Sequence, residues 1–424
     1  MKIKPLIEKL NSGELDDALA ALYADIPAAR RRMLTVLDGW QETFGRGEEA
    51  DVMLVSAPGR TELGGNHTDH QHGRVLCGSV DLDALACVGT NGQTVIRVCS
   101  EGYGTAEADL TCLEPMESEA GTSAALIRGV AAGLAEHGFP VKGFDAYVVS
   151  DVPAGSGLSS SAAYEVLLGT AMNALAEGDL DAVTLAKIGQ RAENVYFGKP
   201  CGLLDQTACA VGKAAAVDFA NPTEPVVETA DFDFSTSGYD LCIIDTRSDH
   251  SDLTDAYAAV PAEMKAVAAC FGKEVLREVE EEKFLSSLAQ VRLQTGDRAV
   301  LRAMHFFAEN RRAKEQAEAL KCGNFEEYLR LVNESGQSSW CLLQNITAGD
   351  PAHQAVALTL ARGQQLLGGR GAIRVHGGGF AGTVQAYVPH EMLEQFRNGM
   401  EALLGEGACH VVRIRPQGGW VILR

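Results

Sequence analysis

Hydrophobic and polar positions change rhythm several times along the chain, and each change predicts an element. Up to about residue 45 the apolar positions recur every three or four residues, in LDDALAALYADI and ARRRMLTVLDGWQETF. This spacing predicts helices, read as a packing extension without chemistry. From Val52 the rhythm shifts to VMLVSAPGR, a buried strand ended by Pro58 and Gly59, followed by VLCGSVDL, ALACVGT and TVIRVCS, which read as further sheet-building strands. A helix over 121–137, a strand–turn–helix corner over 144–177, a helix over 182–197 closed by Gly198 and Pro200, and a strand at 214–219 complete an α+β first half. After about Asn221 the pattern starts again with the strand YDLCIIDT, helix-rich sequence from Leu253 to Leu343, the strand TVQAYV, a helix over 391–404 and closing strands CHVVRI and GWVIL. No repeat or low-complexity linker divides the halves. The expected organisation is an extension at 1–45, one domain at 46–222 and a second at 223–424, two lobes meeting at a cleft that holds the site.

The corner FDAYVVSDVPAGSGLSSSAA is the stretch around which the rest is organised. Glycines at 155 and 157 let an anion approach the main chain, and Ser159, Ser160 and Ser161 place hydroxyls where helix N–H groups are unpaired. That is the chemistry of a phosphate cradle, with the positive end of the helix dipole aimed at the anion. A plain strand–turn–helix corner uses the same residues, and the lysine of a Walker A loop is absent.

Charge adds a constraint. The 424 residues carry 36 basic and 57 acidic side chains, a net charge of −21, which disfavours nucleic acid and anionic membranes as partners. An anionic ligand therefore needs local help from Arg, backbone amides or a cation, and a metal is expected with a nucleotide. The first residues, MKIKPLIEKL, lack an apolar signal region and no apolar run is long enough to span a bilayer, so the expected location is cytoplasmic. Eleven cysteines are scattered singly with no CxxC pair, which points to incidental thiols rather than a zinc ribbon or disulfide framework.

Three further segments offer chemistry. Residues 57–73, APGRTELGGNHTDHQHG, follow a buried strand with Arg60, Glu62, Asn66, His67, Asp69, His70 and His72, donors and acceptors dense enough to grip a polyol. The alternatives are a solvated turn and a metal site built from HxDHxH, the latter disfavoured because adjacent His and Asp do not by themselves converge on an ion. Residues 191–206, RAENVYFGKPCGLLDQ, put Glu193 near a helix end and Asp205 in apolar surroundings, where a carboxylate needs a partner or a task. Residues 374–382, RVHGGGFAG, form a second glycine cluster before an alternating strand.

PxGSGLSSSAA resembles the phosphate-binding motif of the GHMP kinases, and the other segments resemble, in order, further motifs of the galactokinases in that superfamily. The resemblance spans roughly residues 44–389. It implies a two-lobed α+β fold, with an N-terminal lobe like ribosomal protein S5 and a ferredoxin-like C-terminal lobe around the active-site cleft. It also implies ATP-dependent phosphorylation of the anomeric hydroxyl of galactose. By that match Gly155, Ser156, Gly157, Leu158, Ser159, Ser160 and Ser161, with Gly378 and Gly379, bind ATP. Ser161 and Glu193 hold Mg²⁺, Arg60 stands beside the transferred phosphoryl group and Asp205 faces the sugar O1. Glu62, Asn66, His67, Asp69 and Tyr257 contact the sugar, Tyr257 seven residues after His250 as in the family. The implied partners are a small-molecule sugar and ATP, acting on a monomer. Several positions depart: Glu62 replaces the family Asn, Asn66 the family Glu, His70 the family Tyr, His376 the usual Thr and Ala381 a Gly, while Ser123 and Leu126 stand where some galactokinases have Trp and Tyr. Asn66 is expected to hold the C6 hydroxyl more loosely than a carboxylate would, weakening discrimination against L-arabinose. Two readings remain beside galactokinase: a sister kinase for arabinose or N-acetylgalactosamine, and a sensor that binds sugar and ATP without turnover.

Overall fold

The computed structural model describes residues 1–153, 157–248, 253–347 and 351–423. Three helices, α1 (Ile3–Ser12), α2 (Asp16–Ala20) and α3 (Ile26–Phe44), lead into β1 (Met53–Gly64), β2 (Arg74–Thr90), β3 (Val95–Ser100) and β4 (Gly104–Asp109). Then come α4 (Ser123–Glu136), β5 (Phe144–Ser150), α5 (Ser160–Leu175) and α6 (Ala182–Arg191), the last running on as a wider π-helical turn over Ala192–Phe197. A short helix α7 (Leu204–Val211) and strands β6 (Ala214–Asp218) and β7 (Val226–Ala230) follow. The second half holds β8 (Tyr239–Asp245), α8 (Thr254–Ala269), α9 (Glu281–Ser286), α10 (Leu288–Thr295), α11 (Asp297–Lys321), α12 (Phe325–Ser338) and α13 (Ala355–Leu367). It ends with β9 (Ala372–His376), β10 (Thr383–Pro389), α14 (Leu393–Leu404), β11 (Cys409–Val412) and β12 (Trp420–Leu423).

The strands build two sheets. The first runs β12-β1-β2-β5-β3-β4, with β6 also paired to β2 and β7 to β6, and only β3 and β5 are parallel. The second is antiparallel, in the order β11-β8-β10-β9. One departure from the sequence pattern stands out: the closing strand β12 leaves the second half and pairs with β1 of the first sheet, Ser56 opposite Trp420. Alternation marks a half-buried strand but does not say which edge it joins.

The N-terminal helices pack where their apolar stripe dictates. Asp25 caps α3 by accepting from the Ala28 N–H at 2.9 Å, and Met33, Val36, Leu37 and Trp40, one face at helical spacing, are buried against Leu54, Leu85 and Cys87 of the sheet. Beneath them lies a buried ionic cluster. Asp83 of β2 accepts from Tyr23 Oη at 2.6 Å and Arg415 Nη1 at 3.1 Å, and also from Ser56 Oγ and Arg32 Nη1. Arg415 further donates to the carbonyls of Gln417 and Gly418, steering the chain from β11 back to β12.

Candidate active site

Among the described residues, the strand before the glycine–serine corner and the helix after it form where the sequence pattern implies. Leu158 is fully buried, anchoring the turn, and α5 begins at Ser160 with Val166, Leu167 and Met172 in the core. Gly157 and Ser159 both adopt left-handed backbone, at φ 72° and 57°. For serine this region is strained by roughly 1–3 kcal/mol, so the surrounding structure must hold it there. Gly155 and Ser156 lie outside the described residues.

The loop is held by β1. Arg60 N–H donates to Leu158 O at 2.9 Å and the guanidinium Nη1 donates to Gly157 O. The other edge of the guanidinium forms a two-pronged pair with Asp205 at the start of α7, Nε to Oδ1 at 2.7 Å and Nη2 to Oδ2 at 2.8 Å. Ser159 Oγ also donates to Asp205 Oδ2. Burial would raise the Asp205 carboxyl, but Arg60 and the Ser159 hydroxyl outweigh it and hold it below its ordinary range. Asp205 is therefore an ionised carboxylate at neutral pH, and 36% of its side chain stays accessible to a ligand. Ser159, expected in the phosphate cradle, has its hydroxyl on the aspartate.

Glu193 sits on the π-helical turn, a distortion of the kind that often marks functional positions. Its carboxylate is buried, receiving Lys199 Nζ at 3.1 Å and Gln206 Nε2 at 2.9 Å. Gln206 Nε2 also donates to Glu165 of α5 at 2.9 Å. Glu165 is one helical turn beyond Ser161, and burial first, then the neighbouring Glu193, pushes it up to about 9, so it keeps its proton at neutral pH. Pattern reading passed over Glu165 because YEVLL is an ordinary helix sequence; the available signal is a glutamate four residues from a candidate ligand on one helix face.

Two expected sugar contacts belong to the wall instead. Glu62 is buried and ion-paired with Arg374 of β9, and Asn66 Nδ2 donates to Glu62 Oε1 at 3.1 Å and Gly377 O at 2.6 Å. Asn66 Oδ1 accepts from Asn345 Nδ2 at 2.9 Å and Ser339 Oγ at 3.3 Å. Both ends of the Asn66 amide, expected to face a C6 hydroxyl, thus have protein partners, and the side chain is buried. Asn66→Glu would set a second carboxylate against buried Glu62. The expected outcome is a lower urea midpoint with the galactose to L-arabinose ratio of kcat/KM unchanged within about twofold, whereas a ratio moved tenfold would restore position 66 as a specificity group.

The remaining sugar candidates line one region. His67 Nε2 meets Gly378 O at 2.9 Å and its Nδ1 meets His70 Nε2 at 3.3 Å. Tyr257 Oη donates to Gly379 O at 2.7 Å, while His250 lies outside the described residues. The carbonyls of Gly377 and Gly378 thus brace the 62–72 loop while that of Gly379 holds Tyr257, and a Cβ at Gly379 would fall 2.2 Å from Asn345 O, which only glycine permits. Asp69 borders a cavity of about 210 Å³ with His70, His72, Gln190, Gly202 and Leu203. Gly202 passes so close that a Cβ there would lie 3.0 Å from Asp69 Oδ2, which brings the 57–73 and 191–206 segments together.

Known proteins match the chain in sequence and in fold. Residues 39–90 match the model described as galactokinase galactose-binding signature, and residues 124–213 match the GHMP kinases N terminal domain. A galactokinase of Actinobacillus pleuropneumoniae is 31% identical over 352 residues, covering 82% of this chain and 88% of that one. A galactokinase of Streptomyces coelicolor is 30% identical over 390 residues, covering 91% and 97%. Among solved structures, Lactococcus lactis galactokinase complexed with galactose superimposes with a TM-score of 0.77 at 26% identity, over 92% of this chain and all of that one. A mevalonate kinase at 15% identity and a TM-score of 0.62 shares the fold. Similarity of this extent, running through the strand that carries Arg60 and the helix that follows the phosphate loop, establishes that the chain belongs to the galactokinase family of the GHMP kinases.

Proposed function

We propose that the protein transfers the γ-phosphoryl group of ATP to the anomeric hydroxyl of galactose. The observation that carries this reading is the Arg60–Asp205 pair locked to the turn at the N-terminus of α5. Phosphoryl transfer asks for in-line positioning and charge neutralisation more than for covalent chemistry. Helix N–H groups and the hydroxyls of Ser160 and Ser161 hold the phosphates, and Arg60 offsets charge on the group in flight. Asp205 accepts a hydrogen bond from the attacking hydroxyl and takes its proton as the new bond forms. Its lowered basicity suits a loose transition state, in which that proton leaves late. Asp69, His67 and Tyr257 supply the polar wall for the sugar.

The donor set near α5 fits Mg²⁺: it offers the Glu193 carboxylate and the Ser161 hydroxyl, and Gln206 Oε1 is buried without a partner. Ser161 and Glu193 would hold the ion, which when bound neutralises the β and γ oxygens of ATP. Among the described residues no three His, Cys, Asp or Glu side chains converge as a complete cage, so nucleotide oxygens would supply the remaining ligands. The test is a panel of galactose, L-arabinose and N-acetylgalactosamine with ATP, with and without chelator, followed by product detection. Galactose 1-phosphate formed only with Mg²⁺ is the expected result. Binding of both ligands without turnover would favour a sensor, and preference for another sugar would reassign the substrate.

A further inference from the structure

His376 closes β9 at a position where the family usually has Thr, and it is buried where three parts of the site meet. Its Nε2 lies 3.1 Å from the backbone N of Glu62 and 3.0 Å from Thr61 Oγ1, both on the strand that carries Arg60. Its Nδ1 lies 2.8 Å from Thr383 Oγ1 on β10. A backbone N–H can only donate, so Nε2 is an acceptor and the ring carries its proton on Nδ1, donated to Thr383. Burial first, then the nearby Arg60 and Arg374, push the ring well below its ordinary value, which agrees with a neutral imidazole. On the other side stands the phosphate loop: a Cβ at Gly157 would lie 2.9 Å from Thr383 Oγ1 and 3.4 Å from His376 Nδ1, so the turn rests directly on this pair.

We propose that His376 is a positioning residue for phosphoryl transfer, a neutral imidazole that ties the Arg60 strand to β10 and thereby fixes the floor of the phosphate loop. A threonine is too short to reach both Glu62 N–H and Thr383, whereas one imidazole ring spans them. Arg60 and Gly157 are already bonded to each other. The imidazole adds the reference against which both are set, so its loss lets the pair shift together away from Asp205.

The inference rests on the kinase reading above, and its test separates the two. His376→Gln keeps an acceptor for Glu62 N–H, His376→Asn keeps only the reach to Thr383, and His376→Ala keeps neither. With folding checked by circular dichroism, kcat for galactose is expected to fall about tenfold or more in the Ala and Asn variants, since ~1 Å of misplacement costs up to about 10²-fold. KM for galactose should stay within about twofold, and His376→Gln should recover most of kcat. ATP affinity, titrated calorimetrically without sugar, should fall in Ala and Asn but not in Gln. Wild-type kcat and ATP affinity in a folded Ala or Asn variant, or a loss in Gln equal to that in Asn, would overturn the proposal. If the wild type does not turn over galactose, the substrate reading fails, while the ATP titration still decides the role of His376.

Discussion

Asp205→Asn and Arg60→Ala are each expected to lower kcat by at least ~10²-fold in a protein that remains folded, because each removes an interaction that strengthens as charge moves in the transition state. In Asp205→Asn the side chain keeps its shape but loses its charge and, with it, the ability to take the proton. Arg60 is then left facing a neutral amide across the 2.7 and 2.8 Å contacts that now pair it. In Arg60→Ala the aspartate loses the group that keeps it ionised and Gly157 loses its tether, so KM for ATP should rise as well. Because the aspartate is lowered mainly by Arg60, its carboxyl should titrate at higher pH in Arg60→Ala. The acid limb of the residual kcat profile then moves toward neutral pH. Wild-type turnover in either purified variant would remove that residue from the mechanism, and an acid limb that stays in place would sever the link between the two.

Asp83→Ala is expected to destabilise the protein by about 3–5 kcal/mol, the range for breaking a buried ion pair from one side. The carboxylate is wholly buried and balances Arg415, itself buried, and Arg32; without it Arg415 loses its counter-charge and Arg32 keeps only the exposed Asp151 at 3.0 Å. The pH dependence has a definite sign. Burial raises the Asp83 carboxyl, but Arg32 and Arg415 more than compensate and hold it below its ordinary value. A depressed native value contributes stability above the unfolded value near pH ~4 and loses it as pH falls through the native one. The urea midpoint of Asp83→Asn should therefore lie well below wild type at pH 7, and the difference should shrink on acidification below about pH 4. A gap at pH 7 under ~1 kcal/mol, or one that widens in acid, would show that the cluster is not carried by this carboxylate.

How much of this was legible in the sequence depended on whether the signal was local. The opening apolar run of Met53–Gly64 and the helix Ser160–Leu175 follow from periodicity and glycine placement alone, whereas the continuation of that strand past Pro58 and Gly59 to Gly64 does not. The partnership of Arg60 with Asp205 joins residues from two distant motifs, and only the family resemblance brought them to one place. The protein partners of Glu62 and Asn66 were not legible because a polar segment after a buried strand looks alike whether its side chains face a ligand or a buried arginine. Arg374, 312 positions away from Glu62, decides that, and nothing near either residue announces the pairing. Glu165 was missed for the converse reason, since its proton is a product of burial and of Glu193, both tertiary.

The return of β12 to the first sheet makes order of synthesis matter. Residues 420–423 pair with β1, so the strand that carries Arg60 has one open edge until that distant segment has left the ribosome. The first half, although synthesised early, finishes its sheet last, and during that interval an unpaired edge beside VMLVSA is available to another copy. Removing the last five residues should therefore show itself first in recovery of soluble protein at high expression, and only second in the chemistry of molecules that do fold.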